Sequence, residues 1–189
     1  FGCLRENDLF KNTWIIFTAD HGEMLGDHHM SQKNLFFEGS AHVPLLIMPP
    51  QGRSLPQNIS VEAPTDLVDL YPTILAMAGL SSPVSVSGRN LLEPVPMDRI
   101  FFGNSLNRNF CVMEEKLKLV YSAVGDHVLL FDLNTDPMEQ HNLAEDPAWQ
   151  ERKAKLWKLL LEHTAQYTPE ALDENGQFLT YEAPHFPGD

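Results

Sequence analysis

Trp14-Ile15-Ile16-Phe17-Thr18-Ala19-Asp20-His21-Gly22-Glu23 is the stretch on which the fold reading turns. Its first five residues form an unbroken apolar run, rich in β-branched and aromatic side chains, that ends in Thr18. Such a run without alternation reads as a fully buried strand of a parallel sheet. Asn12 marks a turn before it. Directly after it come a carboxylate, an imidazole and a glycine. In open α/β sheets ligands bind just beyond the carboxyl ends of the strands, so Asp20 and His21 stand where a site is expected. Asp20 offers hard oxygen to a divalent cation, and neutral imidazole extends the choice to transition metals. Taken alone, an Asp-His-Gly tripeptide in a loop is more often a solvated turn. The strand before it and the loop after it change that balance.

The loop runs from Ala19 to Ala41, is polar, and carries Gly22, Gly26 and Gly39. A structureless loop of that length inside a compact domain is usually functional. Lys33 lies in it, and its ammonium is a compact point charge suited to a sulfate or phosphate oxygen. Asp27, His28 and His29 form a second cluster that no spacing rule singles out as ligands. Val43–Met48 reads as a second apolar strand, stopped by Pro49-Pro50.

Further out, Leu67, Leu70, Ile74, Leu75 and Ala78 follow helical spacing, with Thr65 as N-cap and Gly79 just past the end. Pro72 requires the helix to kink there or to start just before it. Ser81–Pro96 is a Ser/Pro-rich connector. Short strands are expected at 100–102, 110–113, 117–121 and 128–131, with Gly125-Asp126 turning the last two into an antiparallel hairpin. Asp146-Pro147 opens a helix whose apolar face is Trp149, Leu156, Trp157, Leu160 and Leu161. Residues 168–189 contain three prolines and no periodicity, and read as an irregular tail.

The 189 residues are 43% hydrophobic and carry a net charge of −13. That balance excludes a disordered or fibrous chain and argues against nucleic acid as a partner. No apolar run approaches the roughly 20 residues needed to span a bilayer, so no membrane segment is expected. Cys3 and Cys111 fit no metal or redox spacing and read as buried free thiols. No signal peptide is visible from Phe1, and a cytoplasmic and an exported location both stay open.

Several of these segments together resemble one family. Ile16–His28, then Lys33, then Phe36–Pro44 is similar to the metal-binding and substrate-lysine block of the sulfatases, within the alkaline phosphatase superfamily. The His of the Asp-His pair is nearest to the branch of choline sulfatases and phosphonate monoester hydrolases. Asp66–Leu75 with Gly79, Ser87–Leu92, Leu130–Leu133, Asp136-Pro137, Glu139 and Asn142-Leu143-Ala144 continue the resemblance in order, across most of residues 10–160.

The resemblance implies an alkaline-phosphatase-like α/β sheet domain whose C-terminal portion is residues 1–96. A small α+β subdomain with an antiparallel sheet and one packed helix follows at 97–167, then the tail at 168–189. It implies a sulfuric ester hydrolase with one divalent metal ion, calcium first and manganese next, held by Asp20 and His21. Lys33 is the catalytic residue contacting the substrate anion, and the substrate is a sulfate ester. The family's nucleophile is a formylglycine made from Cys or Ser in Cys/Ser-x-Pro-x-Arg. Neither Cys3 nor Cys111 stands in that motif, so the nucleophile is expected upstream and the separate chain is expected to be inactive. Its expected partner is the N-terminal part of the same enzyme or a self-associating copy. Two alternatives stay open: a phosphonate monoester or phosphodiester hydrolase on the same scaffold, and a non-catalytic assembly module.

Overall fold

A computed structural model describes residues 1–33, 35–53, 59–83 and 85–183. Asn34 of the long loop, Val84 of the connector and the end of the tail at 184–189 lie outside the described residues. The chain divides into two compact units. One comprises Phe1–Gly22 and Val43–Met97, the other Glu23–His42 and Asp98–Asp189.

The first unit opens with helix α1 (Gly2–Glu6) and contains strands β1 (Ile15–Phe17) and β2 (Leu46–Met48). Here the structure corrects the parallel, fully buried reading. β1 and β2 pair antiparallel, with Ile16 opposite Ile47, and Phe17 is 59% exposed. An apolar run states that a strand exists, but the return path of the connection sets its pairing direction, and here the long loop brings the chain back alongside β1. Around the pair, the Gln51 amide donates to the Phe10 carbonyl at 2.9 Å, and Arg53 lies over the Trp14 ring.

The longer helix of this unit is α3 (Leu70–Met77), after the short α2 (Glu38–Ala41) of the other unit. It starts just before Pro72, in the first turn, where a missing N–H costs nothing. Asp66, rather than Thr65, caps the preceding turn at 67–69 in a reciprocal capping box with Asp69. Gly79 and Leu80 then donate back to Ala76 and Leu75 at 3.1 and 2.8 Å, closing the C-terminus.

Asp69 explains why the connector follows the helix so closely. It is fully buried, and its carboxylate accepts from the amides of Asp66 at 2.9 Å and Arg89 at 2.7 Å. Thr73 accepts from the Leu91 amide at 2.9 Å. At Gly88 a Cβ would stand 2.1 Å from the Val68 carbonyl oxygen, so only glycine lets the connector reach this turn.

The second unit is built on a four-stranded antiparallel meander: β3 (Phe101–Ser105), β4 (Asn109–Glu114), β5 (Leu117–Ser122) and β6 (His127–Asp132), in that spatial order. Val112, Leu119 and Leu130 align across β4, β5 and β6, and all are fully buried. Helix α4 (Gln150–Tyr167) covers them with Leu156 and Leu160, flanked by Trp149, Trp157 and Leu161. Asp146 caps the turn leading into it, accepting from the Ala148 amide at 2.9 Å, with Pro147 at the first position.

The segment from Thr168 has little regular structure, yet Ala171 and Phe178 enter this core. Phe178 meets Tyr121 and Phe110 with ring centroids 4.6 Å apart. Prolines and turns hide such anchors from any periodicity argument. Among the described residues no helix is long and apolar enough to cross a membrane. The fold is a mixed α/β arrangement with antiparallel sheets.

Candidate active site

Asp20 and His21 follow β1 after two residues. The His21 amide donates to Asp20 Oδ1 at 3.1 Å, which turns the backbone and sets both side chains on one side. His21 Nδ1 lies 2.7 Å from the Gly22 carbonyl. A carbonyl only accepts, so Nδ1 donates, and in the neutral ring Nε2 is then the nitrogen with a lone pair. That Nε2 stands 3.5 Å from Asp20 Oδ2.

This arrangement fits a divalent cation. Two donors at adjacent positions about 2.3–2.6 Å from one ion stand roughly 3.3–3.7 Å apart. A ligating histidine characteristically donates its other ring N–H to a backbone carbonyl, as His21 does to Gly22. Among the described residues no group of three or more His, Cys, Asp or Glu side chains gathers to hold a metal. Asp20 is well exposed and His21 half-buried.

The loop after Gly22 belongs to the second unit and is more ordered than a structureless loop. It contains a 3₁₀ turn at Asp27–His29 and then α2. Glu23 Oε1 accepts from the Gln32 amide, and Leu25, His28, His29 and Gln32 all hold positive φ. So many left-handed non-glycine residues in eight positions mark a loop held in one shape by its surroundings. Of the second cluster, His28 stacks on Phe37 with centroids 4.2 Å apart. Lys33 is exposed in this loop. Lys11, in the first unit, forms a surface ion pair with Asp8.

Sequence reasoning missed a buried ionic triad that fastens the loop. Lys118 on β5 is 3% exposed. Its ammonium meets Glu38 Oε1 at 2.5 Å, Glu139 Oε1 at 2.7 Å and the Phe36 carbonyl at 2.8 Å. Glu139 Oε2 accepts from the Glu38 amide at 2.7 Å, and Glu38 Oε2 meets His42 Nδ1 at 2.8 Å. Burial alone pushes the Lys118 ammonium down, but the two carboxylates outweigh it and the net displacement is upward. The lysine is therefore charged at neutral pH. Its one sequence signal is a lysine at an interior position of an otherwise apolar strand, Leu117-Lys118-Leu119-Val120.

The cysteines divide. Cys3 is exposed, against expectation, because α1 buries none of its residues. Cys111 is buried, and burial pushes its thiol up to about 12. It stays protonated and unreactive at neutral pH.

Residues 1–80 match the family model described as Sulfatase. Arylsulfatase K of Xenopus laevis is 34% identical over 162 residues, covering 75% of this chain and 30% of that protein. The chain belongs to the sulfatase family. The uncharacterized sulfatase YidJ of Escherichia coli (strain K12) is 32% identical over 165 residues, covering 81% of this chain and 32% of its own. Among solved structures, the phosphonate monoester hydrolase of Agrobacterium radiobacter superposes with a TM-score of 0.69 at 30% identity, over 93% of this chain and 40% of that one. This sulfatase-family chain thus spans about a third of the length of the curated relatives it matches.

Proposed function

We propose that the complete protein is a sulfuric ester hydrolase acting on sulfate monoesters, and that this chain supplies two of its metal ligands and a substrate-binding lysine. The observation that carries the reading is the Asp20–His21 pair, with Nε2 and Oδ2 3.5 Å apart and the tautomer held by Gly22. Asp20 and His21 would hold one divalent ion, calcium first and manganese next. When bound, that ion withdraws charge from the attacked group and helps activate the nucleophile. Asp20 contributes a negative oxygen, and His21 a neutral nitrogen presented by its bond to Gly22. Lys33 offsets negative charge on the ester oxygens as it develops, the role of a preorganised charge-stabilising donor. No Cys/Ser-x-Pro-x-Arg occurs in residues 1–189, and Cys111 is a buried thiol. The formylglycine of the family would therefore come from outside this sequence, in the remaining part of the same enzyme.

A second reading is hydrolysis of phosphonate monoesters. It is favoured by the 30% identity, over 93% of this chain, to the Agrobacterium radiobacter enzyme. Both chemistries attack a tetrahedral oxyanion, so substrate comparison separates them. On the complete protein, an aryl sulfate should give the higher kcat/KM than the matched aryl phosphonate monoester. Preference for the phosphonate ester would hand the assignment to the second reading. Lys33→Ala should lower kcat/KM by about 10²-fold, comparable to losing one such donor. Lys33→Arg should not restore it, because a planar fork does not replace a compact ammonium. Lys11→Ala, at a surface ion pair, should behave as the unaltered enzyme. Equal, near-unchanged kinetics for the Lys33 and Lys11 variants would remove Lys33 from the site.

A further inference from the structure

We propose that Lys118, Glu38 and Glu139 form a positioning device that fixes the loop carrying Lys33, an inference that rests on the reading of Lys33 as the substrate-binding lysine. The loop meets the sheet of its unit through Phe36–Glu38, where Lys118 and Glu139 are buried and Glu38 is partly so. The Lys118 ammonium donates to the Phe36 carbonyl and to Glu38, and pairs electrostatically with Glu139 at 2.7 Å. The second oxygen of Glu139 takes the Glu38 amide. The Phe37 ring packs with Met24 and Phe131. The Phe36 ring covers Gly103 so closely that a Cβ there would stand 2.4 Å from it. Lys33 lies three residues upstream of Phe36, at most roughly 11 Å of chain. An exposed lysine on so short a tether stands where its anchor puts it.

Stability alone does not call for charge at this place. Buried ion pairs can often be replaced by packed apolar groups at no loss, because desolvation offsets their attraction. An apolar contact would hold the loop against the sheet but would allow it to slide. Two hydrogen bonds and an ion pair converging on one ammonium define a position, and a displacement of about 1 Å is enough to cost a site much of its rate.

The test is a double-mutant cycle on the complete protein, with Lys33→Ala as one arm. The other arm is Glu139→Gln, which keeps the shape and the acceptor for the Glu38 amide while removing the charge. Glu139→Gln should lower kcat/KM by about tenfold or more, and should have almost no effect once Lys33 is already alanine. Lys118→Arg, which keeps the charge, should retain more activity than Lys118→Met. Hydrogen exchange supplies a readout independent of turnover. In Glu139→Gln the amides of Glu38–His42 should lose protection while those of β4 and β5 keep theirs.

Equal losses in both backgrounds, with Lys33→Ala itself damaging, would mean that the triad serves the fold and not Lys33, and would overturn the inference. If Lys33→Ala proves harmless, the reading of Lys33 has failed and with it the inference. Exchange at Glu38–His42 then still decides whether the triad anchors the loop. Unchanged protection there in Glu139→Gln would overturn the anchoring in every case. Should Lys118→Met fail to fold, Glu139→Gln and Lys118→Arg carry the comparison.

Discussion

The Asp20–His21 turn and the Lys118 triad hold charged groups in opposite ways. The turn is built from neighbours: the His21 amide bonds Asp20 and the His21 ring bonds Gly22, and the Asp20 side chain is 86% exposed. The triad is built from strangers, with Glu38 reaching partners 80 and 101 positions away, and its lysine is 3% exposed. A group that must meet a metal or a substrate has to remain accessible, so its geometry comes from the local backbone. A group that positions others can be buried, and its geometry then comes from the whole unit. If the proposed reading holds, chemistry falls to the exposed pair and positioning to the buried triad, and substitutions should separate the two.

The sharpest separation is at Asp20. In the complete protein Asp20→Ala should reduce turnover by more than about 10³-fold, since ligands and nucleophile act as a unit. Because the side chain is exposed, the melting temperature of the metal-free protein should hardly move. Calorimetry should show the loss of divalent-ion binding in parallel. Asp27→Ala, in the same loop, should leave both turnover and metal binding near the unaltered level. Strong ion binding that survives Asp20→Ala would place the metal elsewhere and break the comparison on its exposed side.

The opposite case is Leu119, fully buried at the centre of the sheet and covered by α4. Leu119→Ala should cost about 2–5 kcal/mol, the loss from deleting a core side chain and leaving a cavity. Denaturant unfolding of the chain measures it. Ile16→Ala in the half-exposed β1 should cost clearly less. A reversal of that order would mean that the first unit, not the second, holds the chain together.

What could be read from the sequence follows the same division. The Asp20–His21 pair could be singled out because the two residues are adjacent and follow an apolar run. The strands of the meander were visible from their composition and from Gly125-Asp126. The helix from Asp146 was visible from its cap, its proline and its 3.6-residue stripe. Pairing direction was not visible: β1 and β2 are short, non-alternating runs joined by a long loop, and either direction satisfies them. Nor was the triad, because no period links Glu38, Lys118 and Glu139. Phe178 was hidden for a related reason, being an isolated aromatic in a segment whose prolines suppress any pattern.

A smaller effect tests the helix start. Asp146 accepts from the Ala148 amide at 2.9 Å, and Asp146→Ala should cost on the order of 1 kcal/mol, typical of a lost N-cap. The loss should appear in the unfolding midpoint, with kcat/KM of the complete protein unchanged. A change in kinetics without a change in stability would connect α4 to the site in a way this structure does not.

The smallest expected effect lies in the turn that brings Glu139 back to Lys118. Asp136 accepts from the amides of Gln140 at 3.1 Å and His141 at 2.8 Å, and the Glu139 amide donates to the Asp136 carbonyl at 3.1 Å. Partial burial pushes the Asp136 carboxyl up, but these two amides and the nearby His141 outweigh it and hold it below the ordinary carboxylate range. The sign follows from linkage. A depressed carboxyl contributes stability that is fully present above its unfolded pKa, about 3.9, and that stability is lost as pH falls through the lower folded value. The amide contribution to the turn should therefore persist near neutral pH and be lost only in acid. Protection of the Gln140 and His141 amides, corrected for intrinsic exchange, should drop as the pH passes below about 4, while protection in β5 persists. Asp136→Asn should remove the pH dependence and leave the global unfolding midpoint at pH 7 nearly in place. If those two amides instead lose protection together with β5, the turn is not a local device but part of the cooperative core. The buried triad and the turn that feeds it would then unfold as one body.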